Sequence, residues 1–255
     1  MKAGRPSATA QRVAAQRLTF GRVATPYGDP AADERLAGDV AGEFEGPPVG
    51  ILTRYLRMRT AFVDRTVVGA IGAGIAQVVL VGAGYDGRSL RYARPGVTWF
   101  EVDHPDTQDD KRRRLEALGI AAPGVVFVAT DFTAGGPSAV LAAAGHRRDR
   151  PSLVVCEGVA VYLHPHDLAA LLADLRTVAA PASRLVLTLS ADGSDPGDEV
   201  RRQAFEAGVA ALGEPTRNRM SAADADPLLE AAGWRPGTEG GARARHAGFV
   251  LATPA

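Results

Sequence analysis

The sequence is poor in the residues that support redox, metal or membrane chemistry. It has one cysteine, Cys156, which excludes an intramolecular disulfide and fits a reducing cytoplasm. Its five histidines lack paired cysteines and clustered spacing, so we expect no metal site. Met1 to Ala15 lacks the continuous apolar core of a signal peptide, and no window approaches a transmembrane length. We therefore expect a cytoplasmic location and no membrane partner.

An excess of charge of either sign is also missing. Lys plus Arg and Asp plus Glu number 29 each, so the formal net charge is +0. Without a global field the chain does not favour nucleic acid as a partner. At 255 residues, 46% of them hydrophobic, it can bury a full core as one globular domain.

The chain has two parts with different sequence patterns. Together they predict a single domain, residues 1–255, with a helical N-terminal extension over 1–75. Glycines and turn motifs separate three predicted helices there: Ala8–Val23, Ala31–Phe44 and Ile51–Ile71. Over 76–255, short aliphatic runs alternate with helical stretches. The runs predicted as strands are 78–81, 98–102, 125–129, 152–156 and 184–189.

Continuous apolar strands alternating with helices predict an α/β fold, a Rossmann-like doubly wound sheet that is mostly parallel. The chain ends differently. After a helix near 223–232, weak strands near 237–240 and 246–252 follow one another closely. Their short connection predicts an antiparallel pair at the sheet edge. Residues 1–50 are expected to form a lid over an acceptor pocket.

The first predicted strand runs into a glycine-rich turn, Gly82-Ala83-Gly84-Tyr85-Asp86-Gly87. Its G-x-G-x-x-G form lets the backbone approach a ligand, and the next helix offers its N-terminal amides. Asp103 supplies the acid about 20 residues on that completes a dinucleotide pattern. Taken alone, this pattern equally predicts a nicotinamide-dependent oxidoreductase, and a turn without a ligand is a further interpretation.

Acidic residues after three strands favour a different ligand. Asp103, Asp131 and Glu157 would ring one crevice with the glycine loop, because ligands bind beyond the carboxyl ends of such strands. Carboxylates suit the ribose diol and ammonium of S-adenosylmethionine, whereas they would repel a pyrophosphate. Asp131 could instead cap a helix. Glu157, at the end of a buried strand, needs a partner.

Four blocks of sequence carry a resemblance that spans most of the chain. They are Arg17-Leu18 through Tyr27-Gly28-Asp29-Pro30-Ala31-Ala32, Arg57–Asp64, Gly82–Arg88 with Phe100–Pro105, and Glu157–Leu163. In this order they resemble the leucine carboxyl methyltransferase family, especially its bacterial O-methyltransferase branch, which includes polyketide carboxyl methyltransferases. The resemblance implies a class I methyltransferase fold and S-adenosyl-L-methionine as cofactor.

The resemblance also implies roles for particular side chains. Arg59 would pair with the cofactor's methionine carboxylate, with Arg57 as the nearby competitor. Asp103 would accept from the ribose hydroxyls, and Glu157 would face the ammonium. Gly87 stands where family members usually carry threonine, so the third glycine is expected to be coincidental. The remaining implied contacts are the loop residues Gly82, Ala83 and Gly84 along the cofactor's path, and Asp131 and Phe132 at the adenine.

The expected activity is S-adenosylmethionine-dependent O-methylation of a small molecule, a carboxylate or hydroxyl of a natural product in secondary metabolism. A carboxylate acceptor needs no general base, whereas a phenol or alcohol would benefit from one. No catalytic residue is assigned, and substrate choice is placed in residues 1–50 and in Ala191–Met220. The alternatives are an NAD-dependent oxidoreductase and a relative that binds the cofactor without methyl transfer. Four residues near strand ends are candidate bases: His104, Tyr162, His164 and His166.

Overall fold

A seven-stranded sheet forms the centre of the molecule, as described by a computed structural model. The structure describes residues 5–42, 50–132, 135–190, 203, 206–208, 210–211, 213–238 and 241–255. The strands are β1 (Gln77–Val81), β2 (Thr98–Asp103), β3 (Val125–Ala129), β4 (Leu153–Cys156), β5 (Arg184–Thr188), β6 (Trp234–Pro236) and β7 (Phe249–Pro254). Their order across the sheet is β3-β2-β1-β4-β5-β7-β6.

Strands β1 to β5 pair in parallel, while β7 pairs antiparallel with both β5 and β6. This confirms the prediction of a mostly parallel sheet with an antiparallel edge. The predicted strand over 237–240 was wrong, because the edge strand lies earlier, at Trp234–Pro236. Its position is fixed by Trp234, which is fully buried and donates from Nε1 to the Leu172 carbonyl at 2.9 Å.

Helices cover both faces of the sheet and its carboxyl edge. They are α1 (Ala8–Arg17), α2 (Pro30–Ala41), α3 (Gly50–Gly72), α4 (Arg88–Arg91), α5 (Pro105–Ala117), α6 (Ser138–Ala143), α7 (Pro165–Thr177), α8 (Ala222–Ala231) and α9 (Gly241–His246). None of the helices in the described ranges has the length and apolar character to cross a membrane. The first helix ends at Arg17 rather than Val23, since the next residues form tight turns back onto Gln16 and Arg17.

Alternating side chains of each central strand enter two separate cores. In β1, Val79 and Val81 join the core built with α7, whereas Val78 and Leu80 join the core built with α3. All five residues of β1 are buried, as expected for a strand covered on both faces. The sheet is therefore a rigid base that fixes where its carboxyl edge presents side chains.

The N-terminal helices α1 and α2 lie over the turn between β1 and α4. Ser7 caps α1 by accepting from Ala10 N at 3.1 Å, and Asp29 caps α2 ahead of Pro30. Ala14 of α1 and Val40 of α2 pack together on Tyr85 of the glycine loop. The extension is thus docked on the loop side of the sheet.

Candidate functional site

The glycine loop adopts a conformation that side chains would obstruct. Gly82 and Gly84 have φ angles of +66° and +50°, in the left-handed region that favours glycine. A Cβ at Gly82 would meet Val159 Cγ2 at 2.4 Å, and one at Gly84 would meet Ala10 Cβ at 2.8 Å. The loop therefore lies directly beneath α1. Between the two glycines, Ala83 turns its side chain into the core on the α3 face and offers only backbone to a ligand.

Asp103 ends β2 beside this loop. Its Oδ2 accepts from Gly84 N at 2.5 Å and its Oδ1 accepts from His104 N at 2.6 Å. Burial raises the pKa of Asp103 to about 6, although both backbone bonds oppose the shift. Each oxygen keeps a second lone pair, so the carboxylate can still accept from a ligand hydroxyl.

Glu157 follows β4 and is bound by three arginines from three different helices. Its Oε1 accepts from Arg17 Nη2 at 2.9 Å and from Arg59 Nε at 2.8 Å. Its Oε2 accepts from Arg88 Nη1 at 2.5 Å. Burial opposes ionisation of Glu157, but the charges of the three arginines outweigh it and hold its pKa well below the ordinary value. The sequence analysis predicted a partner for this carboxylate, and the structure provides three, Arg17, Arg59 and Arg88.

Among the described residues, the ion pairs continue away from Glu157 as a network in which cations and anions alternate, buried except at Glu34, whose side chain is 59% exposed. Arg88, with no exposed side-chain surface, also binds Asp86 at 2.5 Å and Asp64 at 2.6 Å. Asp64 additionally accepts from Arg22 at 2.6 Å. Five arginines meet five carboxylates, so their formal charges cancel. The members are Arg17, Arg22, Arg59, Arg88 and Arg91 with Asp33, Glu34, Asp64, Asp86 and Glu157.

The structure separates the two candidate arginines of α3. Arg59 is buried and points to Glu157, with its guanidinium also 5.7 Å from the centre of the Tyr55 ring. Arg57 is exposed and lies over the Phe20 ring instead. Two positions along a helix differ by about 200° in direction, which explains why only one of them reaches the sheet edge.

The predicted adenine contacts lie at the same edge, after β3. Ala129 of β3 pairs in register with Asp103, and Thr130 N donates to the Asp103 carbonyl at 2.9 Å. Beyond it, Asp131 is exposed and Phe132 packs half-buried against the core of the α7 face.

Gly87 has a packing role that is separate from the dinucleotide motif it completes. A Cβ at Gly87 would lie 1.9 Å from Asp33 Oδ1 and 2.5 Å from Asp33 Cγ. Asp33 itself binds Arg91 Nε at 2.5 Å and Arg22 Nη1 at 3.1 Å. The glycine thus lets α2 place a carboxylate of the network against the loop.

We expect Gly87→Ala to lower the free energy of unfolding by about 1–3 kcal/mol, because the new methyl group must displace Asp33 from its arginines. Urea unfolding measures this. Gly69→Ala is the matched control, since nothing lies within 4 Å of its Cβ position in α3. There the change should stabilise the helix by about 0.5–1 kcal/mol. Equal stabilisation by both substitutions would contradict the packing role of Gly87.

Sequence reasoning did not assign Arg17, Asp64, Asp86 or Arg88 to the site. All four lie inside the blocks that carried the family resemblance, so position in a motif was the available signal. The histidines have other surroundings: His104 caps α5 by accepting from Asp106 N, and His164 stacks on His166 at the surface. Across the described ranges, no group of three His, Cys, Asp or Glu side chains could hold a metal ion.

The site suits the zwitterionic end of an amino acid. Arg59 and Glu157 hold a cation and an anion 2.8 Å apart, which matches a carboxylate beside an ammonium. Two buried donors nearby, Arg17 Nε and Arg88 Nη2, have no hydrogen-bond partner among the residues that the structure covers. Since an unmade buried bond costs about 1–3 kcal/mol, such donors favour an anionic ligand group. The residues present therefore fit S-adenosylmethionine.

Comparison with known proteins identifies the family of the chain. The family model described as leucine carboxyl methyltransferase matches residues 9–176. A candidate S-adenosyl-L-methionine-dependent methyltransferase from Mycobacterium avium is 38% identical over 199 residues, covering 71% of this chain and 60% of the relative. Another such protein, from Mycolicibacterium paratuberculosis, is 31% identical over 256 residues, covering 90% and 82%. The chain thus spans about three fifths of the first relative's length.

Solved structures show the same fold at low identity. A candidate methyltransferase from Thermobifida fusca superposes with a TM-score of 0.61 at 17% identity, covering 99% of this chain and 96% of that one. Magnesium protoporphyrin IX methyltransferase from Synechocystis, solved with bound S-adenosylhomocysteine, gives 0.54 at 17% identity, covering 83% and 90%. The architecture is accordingly the class I methyltransferase fold.

Proposed function

This chain belongs to the leucine carboxyl methyltransferase family, and on that premise we propose that it transfers the methyl group of S-adenosylmethionine to an oxygen of a small molecule. The observation that carries the proposal is the convergence of Arg17, Arg59 and Arg88 on Glu157, beside the glycine loop. The strand order also separates the chain from dinucleotide enzymes, whose classical order 3-2-1-4-5-6 has no antiparallel strand inserted beside the fifth.

In this proposal each residue has a binding role. Arg59 binds the methionine carboxylate and Glu157 the ammonium, so both exchange part of their mutual ion pair for the ligand. Asp103 accepts from the ribose hydroxyls. Asp131 and Phe132 contact the adenine. When bound, the cofactor supplies an electrophilic methyl group on a sulfonium, and the protein's task is to align the acceptor with it and exclude water.

The acceptor is the less specified part of the proposal. We favour a carboxylate or hydroxyl of a natural product, methylated in the cytoplasm as part of secondary metabolism, and no nucleic acid. Helix α1 covers Gly84 and contributes Arg17 to the site, which supports a lid role for the N-terminal extension. The loop at Asp192–Gly197, to which the sequence also assigned substrate choice, lies outside the described residues.

Calorimetry with S-adenosylhomocysteine and with NAD tests the cofactor assignment. We expect binding of the first alone, and tight binding of NAD alone would overturn the proposal. Incubation with methyl-labelled cofactor and extract of the producing organism, followed by mass spectrometry, then tests transfer. Label that never leaves the cofactor would favour a relative that binds without catalysing.

The affinity for S-adenosylhomocysteine should rise with pH through the pKa of Asp103, which is about 6. Ribose hydroxyls donate to the ionised carboxylate, so binding favours deprotonation and is weakened once Asp103 is protonated. Because one proton is linked to binding, the affinity should fall at most about tenfold per pH unit below 6. Calorimetry between pH 5 and 8 measures the profile. Asp103→Asn, which cannot titrate, should bind weakly and without this pH dependence.

A further inference from the structure

An extended segment, residues 214–218, lies against the turn that follows Glu157. Arg217 N and Asn218 N both donate to the Val161 carbonyl, at 2.8 Å and 3.2 Å. Along this segment Glu214, Thr216 and Asn218 point inward, while the residues between them are exposed. The alternation is that of an extended strand with one buried side. A second row of polar side chains therefore lies close to the proposed cofactor site.

Glu214 connects this row to the start of α1. Its Oε2 accepts from Ser7 Oγ at 3.1 Å and its Oε1 accepts from Ala8 N at 3.0 Å. A carboxylate at a helix N-terminus is well placed for such bonds. Glu214 is thus engaged in holding α1. The contact also brings Thr9, the next residue of α1, over the same region.

Two polar side chains that follow Glu214 have a buried atom without a hydrogen-bond partner in the described ranges. Asn218 is 8% exposed, and its Oδ1 accepts from Met220 N at 2.9 Å. That bond fixes the orientation of the amide, because the backbone N–H needs an oxygen. Asn218 Nδ2 and Thr216 Oγ1 are left buried and without a partner in the described ranges. Each such group costs about 1–3 kcal/mol if nothing binds it.

The turn between Glu157 and this row connects the two sites. Gly158 N donates to Thr188 Oγ1 at 2.9 Å, and the glycine lies under the Arg59 guanidinium. The turn ends at Tyr162, whose hydroxyl is hydrogen-bonded to the Thr9 side chain and lies near both Glu214 and Arg59. The unsatisfied groups of the 214–218 segment therefore lie on the turn that leads from Glu157, next to the end of the site that would hold the methionine moiety.

We propose that Thr216 and Asn218 are specificity-determining residues that bind an accepting oxygen of the methyl acceptor. The inference rests on the proposed function, since it needs the cofactor on the Glu157 side. An amide nitrogen can only donate, and the Thr216 hydroxyl can donate as well. The ligand group they select is a carbonyl or carboxylate oxygen, because an ammonium group would leave the Asn218 Nδ2 donor without an acceptor.

Thr216→Val and Asn218→Asp test this site. Thr216→Val removes an unsatisfied hydroxyl at nearly constant shape, so the ligand-free protein should be as stable as the parent or more stable. Asn218→Asp keeps an oxygen for Met220 N and replaces the donor by an acceptor. Thr253→Val, at an exposed position of β7, is the control. A drop in the melting temperature of Thr216→Val beyond that of Thr253→Val would show a structural hydroxyl and overturn the assignment.

Binding is measured by titration calorimetry on protein saturated with S-adenosylhomocysteine, using benzoate, benzamide and benzylamine as probes. We expect benzoate or benzamide to bind, benzylamine not to bind, and each variant to lose about tenfold or more in affinity, which corresponds to the loss of one hydrogen bond in a buried site. Preference for benzoate identifies a carboxylate, and preference for benzamide a neutral carbonyl. Binding of benzylamine, binding of no probe, or unchanged affinity in both variants would overturn the inference. The affinity for S-adenosylhomocysteine is measured in parallel. If the parent protein does not bind it, the proposed function is rejected instead of this inference.

Discussion

Glu157→Gln is expected to lower the free energy of unfolding by about 3–5 kcal/mol, because it leaves three buried guanidinium groups without their shared counter-charge. Glu157 accepts from Arg17, Arg59 and Arg88 at 2.5–2.9 Å. A glutamine keeps one accepting oxygen but presents an NH2 group to a donor. Since whole domains are stable by about 5–15 kcal/mol, this single change removes a large fraction of the total.

The same substitution should weaken cofactor binding. If Glu157 accepts from the ammonium of the methionine moiety, its neutralisation removes a charge-assisted bond of about 1.5–3 kcal/mol, or about ten- to a hundredfold in affinity. Urea unfolding and S-adenosylhomocysteine calorimetry, at a temperature where the variant is folded, measure the two effects. Glu116→Gln on the exposed face of α5 is the matched control and should change neither. A Glu157→Gln protein within 1 kcal/mol of the parent would show that the arginines do not depend on this carboxylate.

The sheet could be predicted from sequence because each buried strand is a short aliphatic run between turn signals. The bounds of β3 match the prediction, and those of β1, β2, β4 and β5 differ by a residue at one end. The C-terminal edge of the sheet was harder to predict. Residues 241–246, which span the gap between the two predicted strands and the first residue of the second, form α9, and β6 is only three residues long. So short a strand has little periodicity, and its position depends on where Trp234 is buried, which is a tertiary contact.

The site was predictable where a residue follows a strand, and less so where it comes from a helix. Asp103 and Glu157 end β2 and β4, so the topology alone places them at one edge. Arg17 and Asp64 lie on α1 and α3, which approach this edge through packing between elements distant in sequence. No local pattern states which arginine of α1 turns inward. The members of the charge-balanced network could therefore be identified only from the structure, which shows how α1 and α3 pack.

Gly87 illustrates the same limit at a single residue. In the sequence, Gly87 only completed a dinucleotide motif. The family resemblance indicated that its match to that motif is coincidental. A glycine is required at this position because Asp33, 54 positions earlier, occupies the space that a Cβ would need. The glycine motif thus describes the loop's packing against α2 as much as its approach to a ligand.

Arg88→Met should be the most destabilising substitution in the network. Arg88 is fully buried and donates to Asp64, Asp86 and Glu157, so its loss leaves three carboxylates short of a partner. Breaking a buried ion pair in this way costs about 3–5 kcal/mol. Methionine has a similar unbranched length, which limits the additional cost of an empty cavity. Arg113→Met, on the exposed face of α5, is the control and should have little effect.

The effect of Arg88→Met should also depend on pH. Burial opposes ionisation of Asp64, but Arg88 and Arg22 overcome it and lower its pKa from 3.8 to about 2. A lowered carboxyl pKa stabilises the fold above the unfolded value near 4, and this contribution is lost as pH falls toward 2. For Asp64 it amounts to about 2 kcal/mol at pH 7. Urea unfolding at pH 7 and at pH 3 should therefore show a smaller difference between parent and variant at pH 3. A difference that stays constant with pH would mean that the variant loses packing rather than charge pairing.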